Sequence, residues 1–304
     1  MKYGKKIWMN GRLVPFKDAK VHILTHALHY STAVFEGARC YKTPKGSAIF
    51  RLPEHVNRLF QSAKLYSMDI PYTKKQVTDA IVKTVRASGL EECYIRPIAY
   101  LGQGSVGLLP ENINTDLSIS CVEWNKKTHV PEKSMVTKCM ISSWLKIDSR
   151  SQPMHAKSAA NYSNAILART EAVRNGFDEA LLLNYEGHVV EGTTVNLFIV
   201  RGGQIITPPT SSGVLEGITR ESIIEMIEED GGYVKEASLS RADVYGADEA
   251  FLTGTAAEIN AVTQVDNIKI GSGRLGSITK KLQKQYINVT RGRDSRFLPW
   301  LHHV

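Results

Sequence analysis

Lys157, Tyr162 and Glu191 stand where apolar segments meet turns, and their side chains are an amine, a phenol and a carboxylate. An amine attacks carbonyl carbon only when neutral, which desolvated, cationic surroundings favour. A carboxylate at a strand end can hold a cationic or N–H group. Elsewhere Gly217-Ile218-Thr219 leads into a helical pattern. A helix N-terminus presents free amides and a positive dipole end to a phosphate, and Gly217 lets the backbone come close. Thr255, after Gly254, offers a hydroxyl from a second turn, and Arg58 offers formal charge. Taken singly, each has a plain reading: surface lysine, core tyrosine, strand-end glutamate and, for Arg58, a surface salt bridge.

The elements that must position these groups follow from local pattern. Ser149-Arg-Ser-Gln-Pro153-Met-His is polar and carries a proline, so it reads as loop. Ala159, Ala160, Ile166, Leu167, Ala168, Ala172 and Val173 then recur at helical spacing, which puts Lys157 at the loop-to-helix junction. Ala180–Leu183 reads as a buried strand, Gly187 as a turn, and Val189-Val190-Glu191 as the start of another strand. Upstream, Asn10-Gly11 between Ile7-Trp-Met9 and Arg12-Leu-Val14 signals a hairpin. The stretch 33–41 reads as one strand and 48–50 as another. Pro53-Glu54 opens a helix carrying Arg58, and a second helix runs from Lys74 to Ser88. Strands are expected over Tyr94–Tyr100 and Leu117–Val122. Downstream, Leu197–Val200 and 204–206 read as strands, 221–229 and 275–289 as helices, and Ala250–Gly254 as a strand reaching a small-residue turn. His22, His26 and His29 fall at helix-like spacing. No acidic ligand or His-Glu-x-x-His pattern accompanies them, so they read as structural. Mixed helices and strands in both halves predict two α+β domains, residues 1–123 and 135–304, joined by a polar linker over 124–134.

Composition bounds the class. The chain of 304 residues is 42% hydrophobic and 22% charged, as a globular protein is. No run is long enough to span a bilayer, and the first residues lack the apolar core of a signal peptide, so the cytoplasm is expected. Cys40, Cys93, Cys121 and Cys139 form no Cys-x-x-Cys pair and read as buried free thiols. The net charge of +8, from 38 basic and 30 acidic residues, is dispersed. Without a nucleic-acid motif it reads as solvated surface rather than a nucleic-acid interface.

As an ordered set, these pieces resemble the branched-chain aminotransferases, pyridoxal-phosphate (PLP) enzymes of fold type IV. The resemblance covers nearly the whole chain. It is carried by His26-Ala-Leu-His-Tyr30, Val34-Phe-Glu-Gly37, Glu54-His-Val-Asn-Arg58-Leu and Tyr94-Ile-Arg96-Pro97. It continues through Lys157-Ser-Ala-Ala-Asn-Tyr162, Glu191-Gly-Thr-Thr-Val-Asn196-Leu-Phe198, Gly217-Ile-Thr-Arg220 and Gly254-Thr-Ala-Ala-Glu258-Ile. Two departures stand out. Trp124-Asn125-Lys126-Lys127 replaces a Trp-Gly-x-Tyr found in many members, and Ala159-Ala160 stands where glycine is common.

The resemblance implies a smaller N-terminal α/β sandwich-like domain and a larger, helix-bearing C-terminal domain like a β-barrel. It implies transfer of the amino group of L-leucine, L-isoleucine or L-valine to 2-oxoglutarate, the reverse being the last step of branched-chain amino acid biosynthesis. D-amino-acid aminotransferase and aminodeoxychorismate lyase share the lysine and glutamate. The Tyr94–Pro97 strand and the Gly254–Ala257 turn favour the branched-chain enzyme. By the same resemblance Lys157 holds PLP, Glu191 the pyridine nitrogen and Tyr162 the phenolic oxygen. Arg58, Leu215, Gly217, Ile218, Thr219, Gly254 and Thr255 complete the cofactor site. Substrate falls to Tyr30, Phe35, Gly37, Tyr94, Arg96, Leu108, Trp124, Thr255 and Ala256. Tyr30 and the 104–108 loop come from a second subunit, which implies a homodimer or an oligomer of dimers. Arg96 shares a strand face with Tyr94. It has two readings: a structural ion pair, or an arginine reaching the side-chain carboxylate of glutamate, with Lys126 or Lys127 assisting.

Overall fold

The computed structural model describes residues 2–124 and 136–304. Lys126, Lys127 and most of the predicted linker lie outside the described residues. The chain divides into two compact units. The first holds Met1–Pro131, Ala156–Ala160 and Asn288–Val304, and the second Glu132–His155 and Asn161–Ile287.

The first unit is built on a largely antiparallel sheet. Strands β1 (Lys6–Met9) and β2 (Arg12–Pro15) form the predicted hairpin, with Asn10 and Gly11 at φ 44° and 90°. After the short helix α1 (His26–Tyr30) come β3 (Ala33–Phe35), β4 (Ala38–Thr43) and β5 (Gly46–Phe50). Helices α2 (Leu52–Leu65) and α3 (Lys74–Ser88) precede the long strands β6 (Cys93–Leu101) and β7 (Thr115–Glu123). Thr73 and Gln76 form a capping box at the start of α3, and Gly89 ends it in the left-handed conformation. One face of the sheet buries Val34, Ile49, Ile95 and Leu117 against Leu52, Leu59, Ile81 and Val85 of the two helices.

The strand expected over 33–41 is two strands. Both β3 and β4 pair with β6 in one register, Phe35 opposite Ile98 and Ala38 opposite Ile95. Between them Glu36 donates its N–H to Pro97 O, but Pro97 has no N–H to return. The ladder breaks there. The histidines also differ from a helical face: only His26 and His29 lie in α1. His26 bridges Thr32 Oγ1 at 2.8 Å and Gly107 O at 3.1 Å, a structural role. All four cysteines are free and buried. A thiol–thiol hydrogen bond to Cys93, with burial, pushes the Cys40 thiol far up.

The second unit is organised around a closed barrel. Its strands are β8 (Val136–Ile141), β9 (Glu179–Leu183), β10 (Val189–Gly192), β11 (Asn196–Arg201), β14 (Glu249–Gly254) and β15 (Glu258–Val265). The ring closes because β10 pairs with β9 on one side and β11 on the other. Leu181, Leu197, Ile199, Leu252 and Val262 belong to one buried core. Strands β12 (Gln204–Thr207) and β13 (Val234–Glu236) extend the sheet, and β16 (Ile268–Lys269) edges β15. Helix α4 (Ala159–Arg174) buries Ala168 and Ala172 against Ala180 and Leu182. Helices α5 (Ile218–Glu229), α6 (Arg241–Tyr245) and α7 (Ser277–Thr290) follow.

The chain then returns to the first unit, where β17 (Leu301–His303) pairs antiparallel with β5. The division therefore differs from the expected 1–123 and 135–304 at two places. Residues 288–304 pack with the first unit because β17 completes its sheet edge. Residues 156–160 do so because Phe35 N donates to Lys157 O at 2.9 Å and Val34 bridges Ser158.

Candidate active site

In the first unit, the backbone around Lys157 is tied down before its side chain is considered. Its carbonyl accepts from Phe35, and its own N–H donates to Ser62 Oγ at 3.0 Å on α2. The half-buried side chain carries Nζ to 5.2 Å from the centre of the Phe35 ring. The Arg96 guanidinium lies 4.5 Å over the same ring and donates to Tyr94 Oη at 3.2 Å. Tyr94 in turn packs on Trp124, centroids 5.1 Å apart. A Cβ on Gly37 would sit 1.9 Å from Tyr94 Oη, so the tyrosine lies over bare backbone there. Lys157, Phe35, Gly37, Tyr94, Arg96 and Trp124 are thus one constellation: an amine and a guanidinium among aromatic faces.

Arg58 is not the surface salt bridge of the plain reading. It is buried, and donates to Glu36 through Nε at 2.6 Å and Nη2 at 2.9 Å. His55 Nδ1 lies 2.7 Å from the same carboxylate, which can only accept, so Nδ1 carries the proton. Burial alone would raise the Glu36 carboxyl. The Arg58 and His55 neighbours outweigh it and hold the group well below the usual carboxylate range. Burial drives His55 the other way, below its ordinary 6.5, and so favours the neutral ring. Glu36 thereby aims Arg58 from the break between β3 and β4.

Tyr30 and Leu108 lie elsewhere on this unit. Tyr30 donates to Val106 O at 2.8 Å, so α1 and the predicted loop are joined within one chain. Both residues are exposed, beside Ile23, Leu28, Val106 and Leu109.

In the second unit Glu191 is 4% exposed, on β10. It pairs directly with Asn196 on β11, which pairs with Thr253 on β14, so all three share one face. Lys146 Nζ bonds to Glu191 Oε1. Oε2 accepts from Asn196 Nδ2 at 3.1 Å and from Leu215 N at 3.3 Å. Leu215 and Gly217 run directly into α5, whose N-cap residue Gly217 makes no side-chain cap hydrogen bond. Its first amides, at buried Ile218 and Thr219, lack an intrahelical acceptor, as at any helix start, and can donate to a ligand or water. Gly254, Thr255 and Ala256 form the half-buried turn from β14 towards β15, and Tyr162 is half-buried in the first turns of α4.

This donor set fits a phosphorylated pyridine. A helix start can take a dianion, and a buried carboxylate facing a cation can take a ring N–H. Pattern reading missed Lys146, Asn196, Glu36 and His55. Glu36, His55 and Asn196 all stand inside the family-like motifs, which by themselves assign them no role. Lys146 carried one signal, a cation following Trp144-Leu145 beyond a strand, which needs a partner if it is covered. Among the described residues no group of three or more His, Cys, Asp or Glu could hold a metal ion.

The chain is 41% identical to the branched-chain-amino-acid aminotransferase of Pseudomonas aeruginosa, covering 97% of this chain and 95% of that one. It is 39% identical to the Escherichia coli K12 enzyme of the same name, over 98% and 97% of the two chains. The structure of the T.th. branched-chain amino acid aminotransferase complexed with N-(5'-phosphopyridoxyl)-L-glutamate superposes with a TM-score of 0.94 at 41% identity, covering 100% of this chain and 99% of that one. Residues 33–265 match the family described as amino-transferase class IV, and the chain belongs to that family.

Proposed function

We propose that the protein is a PLP-dependent transaminase that moves the amino group of L-leucine, L-isoleucine or L-valine to 2-oxoglutarate, and runs the reverse. The observation that carries this is the likeness, along nearly the whole chain, to branched-chain-amino-acid aminotransferases. When bound, PLP supplies the aldehyde that takes up the amino group and the ring that accepts the electrons released at the substrate α-carbon.

The chain's own residues do the rest. Lys157 Nζ holds the cofactor and moves the proton at the α-carbon of the substrate. The Glu191 carboxylate accepts from the pyridine nitrogen and favours its protonated form. Tyr162 Oη serves the phenolic oxygen. The amides of Ile218 and Thr219, the Thr255 hydroxyl and Arg58 bind phosphate, with Leu215, Gly217 and Gly254 as the backbone that lets it approach. Tyr94 and the Thr255–Ala256 turn take the α-carboxylate. Phe35, Tyr162 and Trp124 offer apolar surface to a branched side chain. The Arg96 guanidinium, exposed beside Phe35 and Tyr94, takes the second carboxylate of glutamate.

The working unit is a homodimer in this reading. Ile23, Leu28, Tyr30, Val106, Leu108 and Leu109 expose apolar side chains on joined segments, a surface suited to a second copy. We place the enzyme in the cytoplasm, where four free thiols persist.

Half-reactions test the function. L-leucine, L-isoleucine, L-valine and L-glutamate should each convert the cofactor's absorbance band in single-turnover experiments. Conversion by D-alanine alone, or pyruvate release from aminodeoxychorismate, would replace this function by one of the sister activities.

A further inference from the structure

Asn196 does more than pair two strands. Its side chain is almost wholly buried, and its amide nitrogen donates twice: to Glu191 Oε2 at 3.1 Å and to Leu215 O at 3.0 Å. Its amide oxygen lies against Gly217, where a Cβ would come within 1.9 Å of Oδ1. Leu215 N closes the loop by donating to the same Glu191 oxygen. One side chain on β11 therefore touches the carboxylate on β10 and both ends of the segment Leu215–Gly217. That segment delivers the start of α5. With Lys146 on Oε1, both oxygens of Glu191 are engaged, so the carboxylate has little freedom to turn.

We infer that Asn196 is a positioning residue that locks the ring-nitrogen acceptor Glu191 to the phosphate-binding start of α5. The inference rests on the cofactor assignment above. A pyridine nitrogen and a phosphate sit at opposite ends of a rigid ring. A protein that recognises both ends gains most when its two contact points are held at a fixed separation. Asn196 supplies that separation with two hydrogen bonds from one planar amide. Gly217 is required because any side chain there would push the amide off the segment.

The test uses apoprotein and binding, not turnover. Asn196→Ala, Asn196→Asp and Glu191→Gln are titrated with PLP and, separately, with inorganic phosphate. Asn196→Ala should weaken both by about tenfold, the factor of one lost hydrogen bond to a charged group. Glu191→Gln should weaken PLP and leave inorganic phosphate unchanged. Asn196→Asp sets a second carboxylate against Glu191. It should cost more PLP affinity in the native background than in the Glu191→Gln background. Gly217→Ala approaches the contact from the other side and should reproduce the phosphate loss, which guards against a folding defect peculiar to Asn196. The bound-cofactor absorbance band should shift in Asn196→Ala, a change that general loosening of the barrel would not give. Unchanged phosphate affinity in Asn196→Ala, or equal Asn196→Asp costs in both backgrounds, overturns the inference. Failure of native apoprotein to bind PLP overturns the cofactor assignment itself, and is distinguished by that control.

Discussion

Arg58 grips Glu36 along one edge of its guanidinium, with His55 closing on the same carboxylate, and all three are buried. Removing one member leaves the others uncompensated in the interior. Glu36→Gln should therefore destabilise the protein by about 3–5 kcal/mol, the scale for breaking a buried ion pair. Denaturant unfolding followed by fluorescence measures it. A loss below about 1 kcal/mol would show that Glu36 contributes no more than an exposed pair.

The same cluster sets an acid limit. His55 is held below its ordinary 6.5, so the unfolded chain takes up a proton there first and stability declines as pH falls through that value. Glu36 is held below its ordinary 4.5, so its contribution is complete above that pH and is lost as pH drops further. Unfolding free energy measured from pH 8 down to about 2 should fall in these two windows, the first below 6.5 and the second below 4.5. In Glu36→Gln the lower step should shrink.

Lys157→Ala should abolish transamination and the reducible link to the cofactor. Native enzyme treated with borohydride and digested with trypsin should carry the pyridoxyl mass on the peptide containing residue 157. The mass on any other lysine removes Lys157 from its role. Glu191→Gln should retain cofactor at raised concentration while turnover drops by about 10²-fold or more.

Arg96→Gln should separate the two substrate classes. Glutamate and 2-oxoglutarate should weaken by ~2 kcal/mol, the scale of one charged hydrogen bond, and leucine much less. Following each half-reaction by cofactor absorbance decides it. Equal losses would assign Arg96 to the α-carboxylate or to packing on Phe35 and Tyr94.

Much of this was legible because it is local. Helix α3 follows from the amphipathic run Lys74–Ser88, and the structure places it at those residues, with Gly89 as its C-cap. The segments around Lys157 and Glu191 fell where apolar periodicity put them. What the pattern could not carry were partners fixed only by folding. Arg58 carried two readings, phosphate ligand or surface salt bridge, and its buried partner Glu36 stayed hidden because it lies on another element; Lys146 meets Glu191 only once the barrel closes. The break at Glu36–Gly37 was written in Pro97, but only the register of β3 and β4 on β6 shows which residue faces that proline. The segment β17 is too short to show strand periodicity and is defined by its partner β5.

That pairing of β17 with β5 gives the two units different folding histories. The barrel assembles from residues 132–155 and 161–287, interrupted only by a five-residue excursion. The first unit cannot close its sheet until residues from the far end of the chain come back to β5, and long-range closure is slow. Until then β5 has a bare edge, the kind of edge that recruits a neighbouring chain. Pulsed hydrogen exchange during refolding should protect β9–β11 before β5, and deletion of residues 300–304 should raise aggregation more than it lowers the stability of the barrel. The burden of chaperoning this protein then falls on one strand, far in sequence from Lys157 yet in the unit that holds it.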